Sequence, residues 1–297
     1  MNNVKTIVIG SYPVTFDNLG FFRNYSNQKL TSWNNYINAA VDDMIKAGID
    51  IVSDGQTRDP FVNIFLRKLK GCRIRDRPEV IDKIKYKESI TIEDIKYVRS
   101  IIPKKHGLVG LIAGPYTLTC SCVDMFYNDK KELAFDFAKA LNLEIKKLVK
   151  YVDIISVDEP FYSVSMPDYA KELMKTVLDG VSCTKRLHVC GDVSKIIPIL
   201  LDLPIDILSH EFKAKPKLFE CFKEYNVTKN ICLGCVRSDD VRVETIEEIK
   251  DHIQKGINVF NDKIIQLSPD CGLRMLPQKV AFEKLKNLVK AYREVYG

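Results

Sequence analysis

Short β-rich apolar runs alternate with longer stretches of helical period along almost the whole chain, and this alternation constrains the fold most tightly. The strand-like runs are Thr6–Ser11, Ile49–Ser53, Leu108–Ala113, Ile154–Val157, Arg186–Cys190, Asp206–Ser209, Ile231–Val236 and Ile264–Leu267. Between them fall helix candidates at Trp33–Ala47, Lys130–Lys150, Asp168–Leu178, Val193–Leu201, Lys217–Tyr225 and Thr245–Asn258, with Gln278–Val295 last. Eight such units predict an α/β protein, a single (β/α)8 TIM barrel in which residues 1–297 form one domain. An open doubly wound sheet is the alternative. It normally carries a glycine-rich dinucleotide fingerprint after its first strand, where this chain has Gly10-Ser11-Tyr12-Pro13. One region breaks the rhythm: residues Phe61 to Lys105, between the second and third strands, exceed one crossover and read as inserted helices with a small hairpin.

A barrel places its reactive groups at the C-terminal ends of its strands, and the unusual residues of this chain fall there. The fourth strand runs into Asp158-Glu159-Pro160, the fifth into His188-Val189-Cys190, the sixth into His210-Glu211 and the eighth into Pro269-Asp270-Cys271-Gly272. His188 and Cys190 are two apart on an extended segment, so both side chains point to one face. Barrel closure can bring Glu211 and Cys271 to them, and a His, Cys, Glu, Cys set suits tetrahedral Zn2+. The competing reading makes both cysteines small core residues and His188 a satisfied core histidine. Cys232-Leu233-Gly234-Cys235 has metal or dithiol spacing, but it lies within an apolar strand and reads better as two buried thiols. Cys120 and Cys122, after the third strand, are candidates to line the barrel mouth or to be structural.

Composition narrows the setting. No run approaches the ~18 apolar residues of a membrane span. The excess of 45 Lys and Arg over 39 Asp and Glu, net +6, is spread evenly and gives no nucleic-acid signal. Nine cysteines, an odd number, suit a reducing cytoplasm better than a disulfide framework. The start of the chain has no signal-peptide pattern, so export is not expected.

Ile9-Gly10-Ser11-Tyr12-Pro13, Asp54-Gly55-Gln56, Ala113-Gly114-Pro115 with Thr117, Val157-Asp158-Glu159-Pro160, His188-Val189-Cys190, Glu211 and Pro269-Asp270-Cys271-Gly272 occur in this order. Together they resemble the catalytic barrel of the cobalamin-independent methionine synthase family. Without a second N-terminal barrel, the chain is similar to the short, core-type members found in archaea and some bacteria. The resemblance implies zinc held by His188, Cys190, Glu211 and Cys271, and homocysteine as methyl acceptor. It implies that Asp158 holds the substrate ammonium and that the Ile9, Gly10 and Ser11 turn holds its carboxylate. Glu159 joins the expected substrate-binding set, and Gln56, where the family has a Glu, would assist through its amide oxygen.

Three positions depart from the long members. Ser121 stands where a Trp stacks on the pterin, Val164 where a Glu contacts the folate, and Asp239 where a His donates the proton. Asp158 and Asp239 are therefore the candidate catalytic residues, but a carboxyl with an ordinary pKa of about 3.9 is a poor acid at neutral pH. These losses point to a methylcorrinoid as methyl donor, free or carried by a corrinoid protein docked at the mouth. The runner-up is a methylcorrinoid:coenzyme M methyltransferase of the uroporphyrinogen decarboxylase superfamily, whose sulfonate acceptor lacks the ammonium that Asp158 would hold. A non-enzymatic alternative is a zinc-stapled barrel that binds a thiol or docks a corrinoid protein.

Overall fold

The computed structural model describes residues 4–15 and 33–297. Its strands are β1 (Lys5–Thr6), β2 (Ile51–Val52), β3 (Leu69–Ile74), β4 (Pro78–Tyr86), β5 (Gly107–Ala113), β6 (Val123–Asp124), β7 (Ile154–Asp158), β8 (Thr184–Val189), β9 (Ile207–His210), β10 (Asn230–Val236) and β11 (Ile264–Pro269). Eight of them form one sheet in the order β1-β11-β10-β9-β8-β7-β5-β2. Every pairing in it is parallel. A parallel bridge from Ile7 to Ile51 joins its two ends, so the sheet closes into the expected barrel.

Period-2 alternation partitions the strand residues. Ile7, Ile9, Val109, Leu111, Ile154, Ile207 and Cys232 pack together inside the barrel. Their sequence neighbours, among them Val8, Leu108, Ile155, Leu208 and Leu233, pack outward against the helices. Burying each such side chain stabilises by about 1.5–3 kcal/mol, so both faces of the sheet read as apolar in sequence.

The helices follow local signals. Asn34–Ala47 ends at Gly48, whose φ of 92° completes a left-handed cap. Lys130–Leu148 starts at Asp129, whose carboxylate accepts from Lys131 N–H. Ile246–Phe260 starts with a full capping box between Thr245 and Glu248. The helix expected over Val193–Leu201 begins only at Ile197, where Pro198 sits in the first turn, the one place a helix tolerates it. The insertion is a short helix Phe61–Leu66, an antiparallel β3–β4 hairpin and a helix Ile92–Ile101, with β6 added parallel to β4. The last helix, Gln278–Tyr296, is tied to the loop after β10 by a buried ion pair between Lys284 and Glu244, 2.8 Å apart. Among the described residues, no helix is long and apolar enough to cross a membrane.

Candidate active site

Register places the chemistry. β7 and β8 pair Ser156 with Arg186 and Asp158 with His188, and β8 pairs His188 with Ser209 of β9. These inward-facing residues form two layers, Ser156 and Arg186 below, Asp158 and His188 at the mouth.

His188 Nε2 lies 3.0 Å from Cys190 Sγ, and Cys190 Sγ 2.7 Å from Cys271 Sγ. Ligand atoms of all three fall within 4.8 Å of one another, as a shared metal requires. His188 Nδ1 is engaged by Ser209 Oγ at 3.0 Å, which orients the ring with Nε2 toward the thiols. Burial, reinforced by the Arg186 charge, holds the His188 pKa well below the usual imidazole range, so the ring is neutral and its nitrogen is available to a cation. The Cys190 thiol is held up by its hydrogen bond with Cys271 and by burial, a penalty that a bound divalent ion would reverse. One imidazole and two thiols in contact fit zinc.

Glu211 stands beside this group. Its Oε2 accepts from Gly191 N–H at 2.9 Å, and its charge acts on Cys190. Asp270 links the loops that carry Glu211 and Cys271: its two oxygens accept from Lys213 N–H and Ala214 N–H at 3.0 and 2.7 Å. Burial pushes the Asp270 pKa up to about 8.

The adjacent carboxylates diverge. Asp158 is 4% exposed; its Oδ1 accepts from Ser156 Oγ at 2.8 Å. Burial raises its pKa to about 7, against the pull of Arg186 and Ser156. Glu159, expected among the substrate-binding residues, turns away. Its Oε1 accepts from Tyr116 N–H at 2.9 Å, and its Oε2 accepts from Thr117 N–H at 2.8 Å and Thr117 Oγ1 at 2.6 Å. It therefore caps the helix Pro115–Ser121, and all its bonding is spent on the N–H groups and hydroxyl of that first turn. Gly114 is required there, since a Cβ would collide with the Glu159 side chain.

Opposite Asp158, the first and last strand ends converge. Gly10 has φ 51°, and a Cβ on Gly272 would come within 2.8 Å of Ser11 N, so only glycine lets the two turns approach. The Ile9 side chain is buried inside the barrel, which leaves its backbone and the Gly10-Ser11 turn at the rim. Gln56 sits in the left-handed region at φ 46°; it is buried, and neither Oε1 nor Nε2 finds a hydrogen-bond partner among the described residues. A buried amide with no partner costs about 1–3 kcal/mol per group, so this one is poised for a ligand. Arg274 holds the turn by donating to Gln56 O and Asp59 O.

Asp239 does not join the site. Its carboxylate accepts from Arg237 Nε and Nη2 at 2.8 and 3.0 Å on the surface, and Arg237 holds its pKa below the ordinary carboxylate range. An ionised, ion-paired carboxylate has no proton to give, in keeping with the poor acid expected at this position. Ser121 Oγ is bonded to Thr117 O within its helix, and Val164 is 79% exposed. Cys232 lies inside the barrel and Cys235 in the outer core, so they cannot chelate one ion. Four residues around the site escaped the sequence reading, Ser156, Arg186, Ser209 and Arg274. Arg186 carried a signal: it alternates with His188 on an apolar strand and so faces inward.

A closed parallel barrel with an imidazole, two thiols and a buried carboxylate gathered at its strand ends is the arrangement of a (β/α)8-barrel enzyme, with side chains at its mouth that could hold a metal ion. The chain belongs to the cobalamin-independent methionine synthase family: the model of the "Cobalamin-independent synthase, Catalytic domain" matches residues 4–294. It is 37% identical to the methionine synthase of Methanocaldococcus jannaschii, covering 96% of this chain and 97% of that protein. Against that of Methanothermobacter thermautotrophicus it is 34% identical, covering 96% and 98%. The solved B12-independent methionine synthase of Shewanella sp. W3-18-1, in complex with selenomethionine, superposes with a TM-score of 0.83 at 26% identity, covering 98% and 97%. The chain is thus an enzyme of a methyltransferase family, which displaces both the coenzyme M methyltransferase and the non-enzymatic alternatives. The family's description also gives no support to the corrinoid donor or corrinoid-protein partner expected from the sequence.

Proposed function

We propose that residues 1–297 act as one catalytic unit that transfers a methyl group to the thiol of homocysteine to form methionine, with zinc held by His188, Cys190, Glu211 and Cys271. The observation that carries this reading is the contact of His188, Cys190 and Cys271 beside the Asp158 carboxylate. Zinc bound there would supply Lewis acidity that makes a substrate thiol nucleophilic at neutral pH.

The chain's own residues do the rest. Asp158 has no recorded partner on Oδ2 among the described residues, and it offers that oxygen to the substrate ammonium. The Gln56 amide oxygen supplies a second acceptor, and the Gly10-Ser11 turn presents backbone N–H to the carboxylate. His188, kept neutral by burial, stays a ligand instead of becoming a competing cation. All nine cysteines are free, which supports a reducing, cytoplasmic setting.

For the donor, support for a methylcorrinoid is confined to three side chains: Ser121 has no aromatic face, Val164 no carboxylate and Asp239 no proton. The family's description speaks against it. Methionine formation assayed in parallel from homocysteine with methyltetrahydrofolate and with methylcobalamin decides. Folate turnover equal to or faster than corrinoid turnover removes the corrinoid reading, and no methionine from either removes the acceptor assignment.

A further inference from the structure

Arg186 is the largest side chain wholly shut inside the described structure, and it lies in the barrel interior one layer below the mouth. It forms no ion pair among the described residues. Its guanidinium instead reaches four neutral acceptors: Ser156 Oγ at 3.1 Å, Val8 O at 3.3 Å, Gln266 Oε1 at 3.5 Å and Cys232 Sγ at 3.8 Å. A cation removed from water without an opposite charge in contact is expensive, and an apolar residue of that volume would fill the barrel at less cost. The nearest compensation lies one step away. Ser156 Oγ bonds both Arg186 Nε and Asp158 Oδ1, at 3.1 and 2.8 Å.

The direction of this chain follows from donor chemistry. A guanidinium only donates, so Ser156 Oγ must accept from Nε–H and point its single proton at Asp158 Oδ1. Oδ1 is thereby fixed as an acceptor and the carboxylate plane is set, which leaves Oδ2 as the oxygen not held by Ser156.

We propose that Arg186, acting through Ser156, is a positioning residue that presents the Asp158 carboxylate to the amino group of the thiol substrate and so sets the preference of the site for an amino thiol acid. The inference rests on the reading of Asp158 as the ammonium's partner. It assigns the preference to two residues beneath the site that touch neither substrate nor metal.

The test compares binding of L-homocysteine and 4-sulfanylbutanoate, the same thiol acid without the amino group, to zinc-loaded protein by titration calorimetry. Wild type should prefer homocysteine. Ser156→Ala should shrink that preference by roughly ten- to a hundredfold, the value of a charge-assisted contact, while affinity for the deaminated analogue holds. Ser156→Thr, which keeps the hydroxyl, should retain the preference, and Arg186→Met should match Ser156→Ala. Ser156→Ala is a small change in a packed layer, so it remains decisive if Arg186→Met does not fold. A wild-type preference in Ser156→Ala, or equal loss of both ligands, overturns the inference. If wild type binds both thiols equally, the reading of Asp158 itself fails, and the inference falls with it.

Discussion

Asp158 and Glu159 are neighbours in sequence with opposite duties, and isosteric amides separate them. In Glu159→Gln the side chain keeps one oxygen where the carboxylate used two against three donors. If that oxygen serves Thr117, the new NH2 group faces Tyr116 N–H, donor against donor, in a site closed to bulk solvent. One buried donor left unpaired costs about 1–3 kcal/mol, and loss of negative charge at a helix N-terminus adds about 0.3–1 kcal/mol. We expect Glu159→Gln to lose roughly 2–4 kcal/mol of stability in urea unfolding of the metal-free protein at pH 8. Burial lifts the Glu159 pKa to about 7, above its unfolded value, so the folded wild type gains stability by taking up a proton as pH falls from 8 to 5.5, which the amide cannot do, and the difference should widen. Zinc-loaded Glu159→Gln that folds should still bind homocysteine. Asp158→Asn should do the reverse, keeping stability within about 1 kcal/mol and weakening homocysteine use roughly ten- to a hundredfold in kcat/KM. If Glu159→Gln proved as stable as wild type yet blind to homocysteine, the two roles would have been assigned the wrong way round.

The remaining expectations concern metal, the buried ion pair and pH. Wild type should carry one zinc; Cys190→Ser with Cys271→Ser should abolish it by metal analysis, whereas Cys232→Ala with Cys235→Ala should retain it. Lys284→Met leaves Glu244 buried without its cation and should cost about 3–5 kcal/mol by denaturant unfolding, unlike changes at the exposed Lys223–Glu220 pair. In the metal-free protein, folding raises the pKa of Asp158, Glu159 and Asp270 to about 7, 7 and 8. The folded state then binds more protons than the unfolded one, and stability should fall as pH rises from 6.5 to 8. The buried histidines His188, His210 and His252 stay neutral in the fold while the unfolded chain still protonates them near pH 6.5, so they oppose the trend at the low end of the window, and the three carboxyls outweigh them as pH approaches 8. A flat or rising unfolding midpoint across it would contradict this.

Much of the architecture was legible because it is local. Alternating apolar runs are read within a few residues, and each of the eight barrel strands overlaps a run that the periodicity picks out, β1 only at Thr6. The helix Pro115–Ser121 was missed because its first turn is stabilised from outside, by Glu159 more than forty residues away. The cluster of one imidazole and two thiols was legible for a different reason. Strand-end residues of a closed barrel must converge, so His188, Cys190 and Cys271 could be associated without knowing any contact between them.

By itself the sequence determined which residues are strand, which are helix, and which reactive groups sit at strand ends, because periodicity and capping act over one or two turns of chain. Tertiary structure alone decided where those groups point. Asp158 is the last residue of β7 and keeps the alternation, while Glu159 leaves the strand with φ −119° and ψ 63° and swings to a neighbouring helix. The same holds for Arg186, whose meaning depends on Ser156 standing across from it in register, and for Asp239, drawn to Arg237 and away from the mouth. A side chain's residue type sets what it can bond. Its role depends on which partner the closed barrel leaves within about 3 Å, and that distance belongs to the fold.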